Sequence, residues 1–205
     1  MSEPLPTTSA LDEETARAEI YGLLAQLYYA PPPAELLSAL RVAATEAPAQ
    51  GAFLEEPWRL LVGAAREFDQ AAISGEYDAL FGGVGKPEVY LFGSHYMSGF
   101  LNEKPLARLR ETLAGLGLAR DETMPETEDH IAYVCEVMRY LIAGDDVAVA
   151  NLTRQSEFFA THLLPWANAL CDAISAHPKA RFYAALAGFT RAFISVEAQG
   201  FDMMS

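Results

Sequence analysis

The chain is short of positive charge and of cysteine, and it has no long apolar run. Among 205 residues there are 14 lysines and arginines against 28 aspartates and glutamates, a formal net charge of −14. Such a protein repels nucleic-acid phosphates, so that class of partner is disfavoured. The same charge favours a basic partner through long-range attraction, and it favours solubility. Cys135 and Cys171 stand apart in apolar stretches and form no CxxC pair. That spacing supports neither a zinc site nor a dithiol redox centre, and the two read as buried thiols in a reducing compartment. No run of about 18 apolar residues exists to span a bilayer. The opening residues, MSEPLPTTSALDEE, lack the basic and apolar regions of a secretory signal, so a cytoplasmic location is expected.

What is present describes a globular helical protein. Hydrophobic residues make up 51% and charged residues 20% of the chain, a balance that excludes wholesale disorder and is enough for a core. Residues 1–9 are rich in Pro, Ser and Thr and read as a flexible tail; residues 10–205 read as a single all-α domain of about six or seven helices. The clearest helix is expected over 125–143. Ile131, Val134, Cys135, Met138, Leu141 and Ile142 recur at core-facing helical spacing, with Pro125 in the first turn and Thr123 or Thr127 as cap. Glu126, Glu128 and Asp129 would then lie near the positive end of the helix dipole. A second stripe of Asp129, Tyr133, Glu136 and Tyr140 is aromatic and acidic, a face that could hold something.

Other helices are expected over 11–30, closed by Pro31, Pro32 and Pro33, and over 34–44. Further ones are expected from near Pro57 to about Ser74, over 103–115 behind Asn102 as cap, over 147–176 with a kink or break at Pro165, and over 179–199. On the first of these the inward face reads as Ala16, Ile20, Leu23, Leu24 and Leu27. Between Gly82 and Asn102 the chain loses periodicity and is broken by glycines. A loop of that length inside a compact domain is either functional or folded back on its own rings, Tyr90, Phe92, Tyr96 and Phe100. Only 88–92 could form strand.

Several catalytic patterns fail. GGVGKP lacks the leading glycine and the final Ser or Thr of a phosphate-binding loop. His95, His130, His162 and His177 form no HxxxH or HExxH pair, and Glu126 with His130 makes at most half of a metal site. No GxSxG elbow is present. Asp129 and His130 could form an acid–base pair, but adjacent helical residues point about 100° apart, so separate partners are expected.

Four blocks in order carry a resemblance. Tyr77-x-x-Leu80-Phe81, Glu126-Thr127-Glu128-Asp129-His130-Ile131, His162-Leu-Leu-Pro165-Trp166 and Phe182-Tyr183-x-x-Leu186 resemble segments of the TorD/DmsD/NarJ family of cytoplasmic molybdoenzyme chaperones. Thr127 stands where that family often has proline. The resemblance implies an all-α chaperone that is not an enzyme and holds no cofactor of its own. It would bind the twin-arginine leader or N-terminal segment of a molybdenum-dependent oxidoreductase precursor and hold it until the cofactor is inserted. It also implies that Asp129 pairs with a leader arginine, that His130 bonds the peptide backbone and that Tyr77 walls the groove. Glu126 and Tyr133 are further peptide-binding candidates. A homodimer formed by exchange of helices is within the family's range. A small hydrolase using His130 and a helical interaction module with another client are the alternatives.

The scattered histidines and cysteines generate one expectation directly. Purified protein should hold no stoichiometric transition metal or iron–sulfur cluster by elemental analysis. One equivalent of zinc or iron, lost on His130→Ala, would overturn it.

Overall fold

The computed structural model describes residues 8–45, 53–82, 86–121 and 123–204. Most of the expected flexible tail, residues 1–7, lies outside them. Helix α1 (Thr8–Tyr29) stops just before the three prolines, and α2 (Ala34–Val42) follows. The helix expected from Pro57 to Ser74 is two helices, α3 (Glu55–Glu67) and α4 (Gln70–Leu80). Asp69 divides them: its backbone is extended and its carboxylate accepts the Ala72 N–H at 2.8 Å, so it starts a new helix instead of continuing the old one.

The stretch read as irregular contains a short helix, α5 (Gly93–Ser98), before α6 (Lys104–Gly115). Asn102 does not cap α6; it turns the chain at φ 60°, a left-handed conformation that asparagine tolerates, and Glu103 occupies the cap position. The central helix, α7, begins at Ile131 and runs to Ala143 (Ile131–Ala143), six residues later than Pro125, and His130 is its cap. The residues 123–130 are not helical, so Glu126 and Asp129 do not sit in its first turn. Extended pairing among the described residues amounts to one antiparallel bridge, Phe92 to His130.

Helix α8 (Leu152–Phe158) starts five residues later than expected, because the Asn151 side chain accepts the Arg154 N–H and caps it there. A π-helical turn, Phe159–Leu163, then joins α8 to α9 (Leu164–Ala176), and the Leu164 N–H reaches back five residues to the Phe159 carbonyl. This widened turn stands immediately before Pro165, which has no N–H to donate, and is where the expected kink falls. Helix α10 (Phe182–Met204) completes the described chain. The result is all-α, with more helices than six or seven because two expected ones are divided and the stretch read as irregular adds α5. Among the described residues no helix is long and apolar enough to cross a membrane.

Packing follows the stripes. Helix α7 lies along α1, α10 packs on α9 and α3, and α5 sits between α6 and α9. The six expected residues of α7 are all buried. On α1 the inward face is rotated from the expected one: Ala16 is exposed, while Ala18, Tyr21, Leu24, Ala25, Leu27 and Tyr28 are buried. Two tyrosines can occupy that face because their hydroxyls find partners on α10. Tyr21 donates to Glu197 at 3.0 Å, and the Tyr28 hydroxyl is 2.9 Å from that of Thr190. Glu197 also receives both arms of the Arg17 guanidinium, at 2.7 and 2.9 Å, and Arg17 reaches Gln155 on α8.

Trp166 is 1% exposed, with its indole N–H donated to the His162 carbonyl. Tyr96 of α5 stacks on it. Removing such a ring leaves a cavity beneath α5, so Trp166→Ala should lower stability by about 3–5 kcal/mol. A denaturant melt is the measurement, and a midpoint unchanged from wild type would contradict this packing.

Candidate functional site

The site forms where the segment 126–130 crosses the segment 91–94. Two backbone hydrogen bonds hold the crossing, Ile131 N–H to the Leu91 carbonyl at 2.8 Å and Gly93 N–H to the Asp129 carbonyl at 2.9 Å, and a turn within the first segment is closed by His130 N–H to the Thr127 carbonyl at 3.0 Å. The Asp129 carboxylate is 4% exposed and both its oxygens are used. One accepts the Ser94 N–H at 2.9 Å and the other accepts the Thr127 hydroxyl at 2.6 Å. Asp129 therefore caps the first turn of α5, an element distant in sequence. Glycine is required alongside it, since a Cβ on Gly93 would lie 2.9 Å from the Trp166 ring.

His130 is also 4% exposed. Its Nδ1 accepts the Ala132 N–H at 3.2 Å, which makes it the cap of α7 and leaves the proton of the neutral ring on Nε2. Burial lowers the imidazole pKa from 6.5 to about 4, against an opposing contribution from Asp129. The ring is enclosed by Phe92, Tyr133 and Tyr29, with centroids at 5.1, 5.7 and 6.4 Å. Asp129 and His130 do reach separate partners, as their adjacency implied.

Tyr77, on α4, comes to the same place from another direction. Its hydroxyl donates to the carbonyls of Tyr29 and Tyr28 at 2.7 and 3.2 Å, closing the end of α1 where the prolines supply no N–H. Its ring is half-buried against Phe81 and Tyr183. Burial, and then the charge of Glu126, push its phenol up to about 12. The Tyr133 phenol is likewise pushed up to about 12 by burial, then by Tyr29 and Glu126. Its hydroxyl is shielded and makes no well-formed hydrogen bond. Glu126 is half-buried beside both rings and has no cationic partner among the described residues.

All five sequence candidates, Tyr77, Glu126, Asp129, His130 and Tyr133, thus share one locality, but they divide into two kinds. Asp129 and His130 are buried and bound to backbone. Glu126, Tyr77 and Tyr133 form a surface, completed by Tyr29, whose ring is 44% exposed and lies 5.9 Å from that of Tyr133. Tyr29 was not expected, because it closes α1 just before the prolines and belongs to no motif. Asp129, expected from the sequence to pair with an external cation, has both carboxylate oxygens in internal hydrogen bonds. Three rings and an unpaired carboxylate suit a cation carried on an apolar ligand: the carboxylate takes the charge and the ring faces attract it. Among the described residues no cluster of three or more His, Cys, Asp or Glu could hold a metal ion.

Comparison with known proteins agrees with the resemblance. The profile of the family described as nitrate reductase delta subunit matches residues 48–172, more than half of the chain. The chain belongs to this family, which includes the TorD and NarJ proteins. The chain is also 26% identical over 144 residues to the chaperone protein TorD of Vibrio cholerae serotype O1, in both a Classical Ogawa and an El Tor Inaba strain. That match covers 67% of this chain and 66% of each relative, just under two thirds of the relatives' length.

The depressed pKa of His130 gives a pH dependence with a definite sign. Above about pH 6.5 the ring is neutral in both folded and unfolded chains, and its contribution to stability is fully present. As pH falls from 6.5 through about 4 the unfolded chain takes up the proton first, so stability is lost over that window. His130→Asn keeps a capping acceptor without the titration. Thermal melts should show wild type losing more stability than His130→Asn between pH 6.5 and 4; parallel losses would assign the effect to other groups.

Proposed function

We propose that this chain is a chaperone and not an enzyme. It binds the leader or N-terminal segment of a molybdenum-containing redox enzyme precursor in the cytoplasm. It holds that apoenzyme until the client's cofactor has been inserted. The reading treats residues 10–205 as one helical domain. Family membership and relatives named as chaperones support it, and one observation carries it: the unpaired Glu126 among Tyr29, Tyr77 and Tyr133 at the start of α7. A twin-arginine leader offers a guanidinium to the carboxylate and an apolar stretch to the rings. The net charge of −14 draws such a segment in from a distance.

In this reading Glu126 meets the cation, while Asp129 is a positioning residue that holds α5 and the crossing beneath the surface. The hydrolase alternative is weakened by the same geometry. His130 spends Nδ1 on its own helix and is buried, which ill suits a general base that must reach a substrate.

Calorimetric titration of a synthetic peptide carrying two adjacent arginines and an apolar stretch tests the proposal. Wild type should bind it, and Glu126→Gln should weaken binding by about tenfold or more, the loss expected when a partly desolvated charge partner is removed. The melting curve of Glu126→Gln should be unchanged. Asp129→Ala should instead lower stability by about 1–3 kcal/mol, because it leaves the buried Ser94 N–H without its acceptor. That is more than the roughly 0.3–1 kcal/mol of an exposed helix-end carboxylate, the value its expected position would have implied. Equal affinities of wild type and Glu126→Gln would remove Glu126 from the site.

A further inference from the structure

A cleft of about 430 Å³ runs along the outward face of α7, between that helix, the end of α6 and the segment 118–128. Its walls are chiefly apolar, from Leu113, Leu118, Met124, Val137, Tyr133 and Tyr140. Tyr133 is shared between the cleft and the site at the start of α7. From Tyr133 the cleft follows the helix to Ala143 and Gly144, roughly 16 Å at 1.5 Å per residue. Two charge pairs stand at its rim, Arg139 with Glu136 and Arg110 with Glu128. The Arg120 guanidinium donates to the Met124 carbonyl and ties down the outer wall.

We propose that this cleft seats the apolar stretch that follows the arginines of the client's leader, so that the leader lies along α7 with its basic end at Glu126 and its apolar end toward Gly144. The inference rests on the leader-binding reading above and adds to it a second contact surface and a direction. Charge supplies the direction. The unpaired carboxylate is at the Tyr133 end, whereas the rim of the cleft carries two matched pairs and the cation of Arg120, which repels a basic segment and leaves the cleft to an uncharged one. Size favours a peptide over a second copy of the chain. A cleft of this volume matches a ligand pocket, and its length holds roughly five residues of extended chain, whereas a stable subunit interface engages about 20–30 residues a side.

The experiment uses the full chain and three synthetic peptides: paired arginines followed by a leucine- and alanine-rich stretch, the same arginines followed by glycine and serine, and the apolar peptide with glutamine in place of both arginines. Two variants alter the cleft without touching the core: Ala143→Trp, at an exposed position, fills its far end, and Tyr140→Ser, at a ring 39% exposed, removes part of its apolar wall without adding charge. Each should weaken the complete peptide by about tenfold or more and leave the weaker glycine–serine peptide unaffected. Glu126→Gln should weaken both arginine peptides and spare the glutamine peptide. If the cleft variants bind the complete peptide within twofold of wild type, the cleft assignment is wrong while leader binding stands. If they leave binding intact and instead change the protein's mass in solution, the face belongs to a second copy. If wild type binds none of the three peptides, the leader-binding reading falls and takes the cleft with it.

Discussion

Short helices are held together here by caps supplied from a distance. Each helix end leaves about four backbone groups without partners, and a fold of short helices has many ends. Helices α2, α3, α5 and α6 have no side-chain bond from their own N-terminal cap residue. Side chains from other helices close several ends instead. The Glu76 carboxylate accepts the N–H groups of Arg181, Phe182 and Tyr183 at the start of α10. Arg41 of α2 donates to the carbonyls of Ala65 and Phe68 at the end of α3, while Arg66 of α3 donates to those of Arg41 and Ala43 at the end of α2. Tyr77 closes α1, and Asp129 opens α5. A bond of this kind stabilises a helix and fixes its direction relative to its partner in the same step.

That constraint explains why the candidate site is where it is. Asp129 fixes α5, α5 lays Gly93 and Tyr96 on Trp166, and Trp166 follows the widened turn before Pro165. With the crossing thus anchored, His130 is enclosed and Tyr133 is brought against Tyr29. Tyr77 ties α4 to the end of α1 and sets the opposite side. The exposed surface of Glu126 and three tyrosines is therefore supported by three separate helix ends, and none of those supports needs to touch a ligand. A residue shared by a family's motif can be essential to such a surface while lying wholly beneath it.

The sequence made legible what depends on local period and left obscure what depends on remote partners. The core stripe of α7 was readable because all six residues lie on one helix with uniform spacing. The face of α1 was misread, since Tyr21 and Tyr28 look amphipathic until Glu197 and Thr190, some 160 to 180 residues away, receive their hydroxyls. The start of α7 was placed too early because acids followed by an apolar run imitate a first turn. The actual cap, a histidine accepting from its own second-next N–H, lies outside the Ser, Thr, Asp and Asn preference. Asp69 and Asn151 do obey that preference, yet each sits within a run whose apolar spacing continues across it. Motif brought the candidate residues to one locality but did not reveal their surroundings, because motif does not distinguish a carboxylate facing solvent from one facing a backbone N–H.

Glu126 and Asp129 show how strongly environment separates two acids three residues apart. Asp129 has exchanged water for a backbone N–H and a hydroxyl, and at 4% exposure it presents little of itself to a ligand. Glu126 keeps part of its exposure and lacks a cation, but it lies among rings that lower the local dielectric constant. There a guanidinium is attracted more strongly than at an open surface, and both the carboxylate and the ring faces contribute. The phenols of Tyr77 and Tyr133 are raised chiefly by burial, and the charge of Glu126 adds to that shift. In a surface of this kind, selectivity for a basic segment comes from a carboxylate without a cation among the described residues and from the ring faces around it.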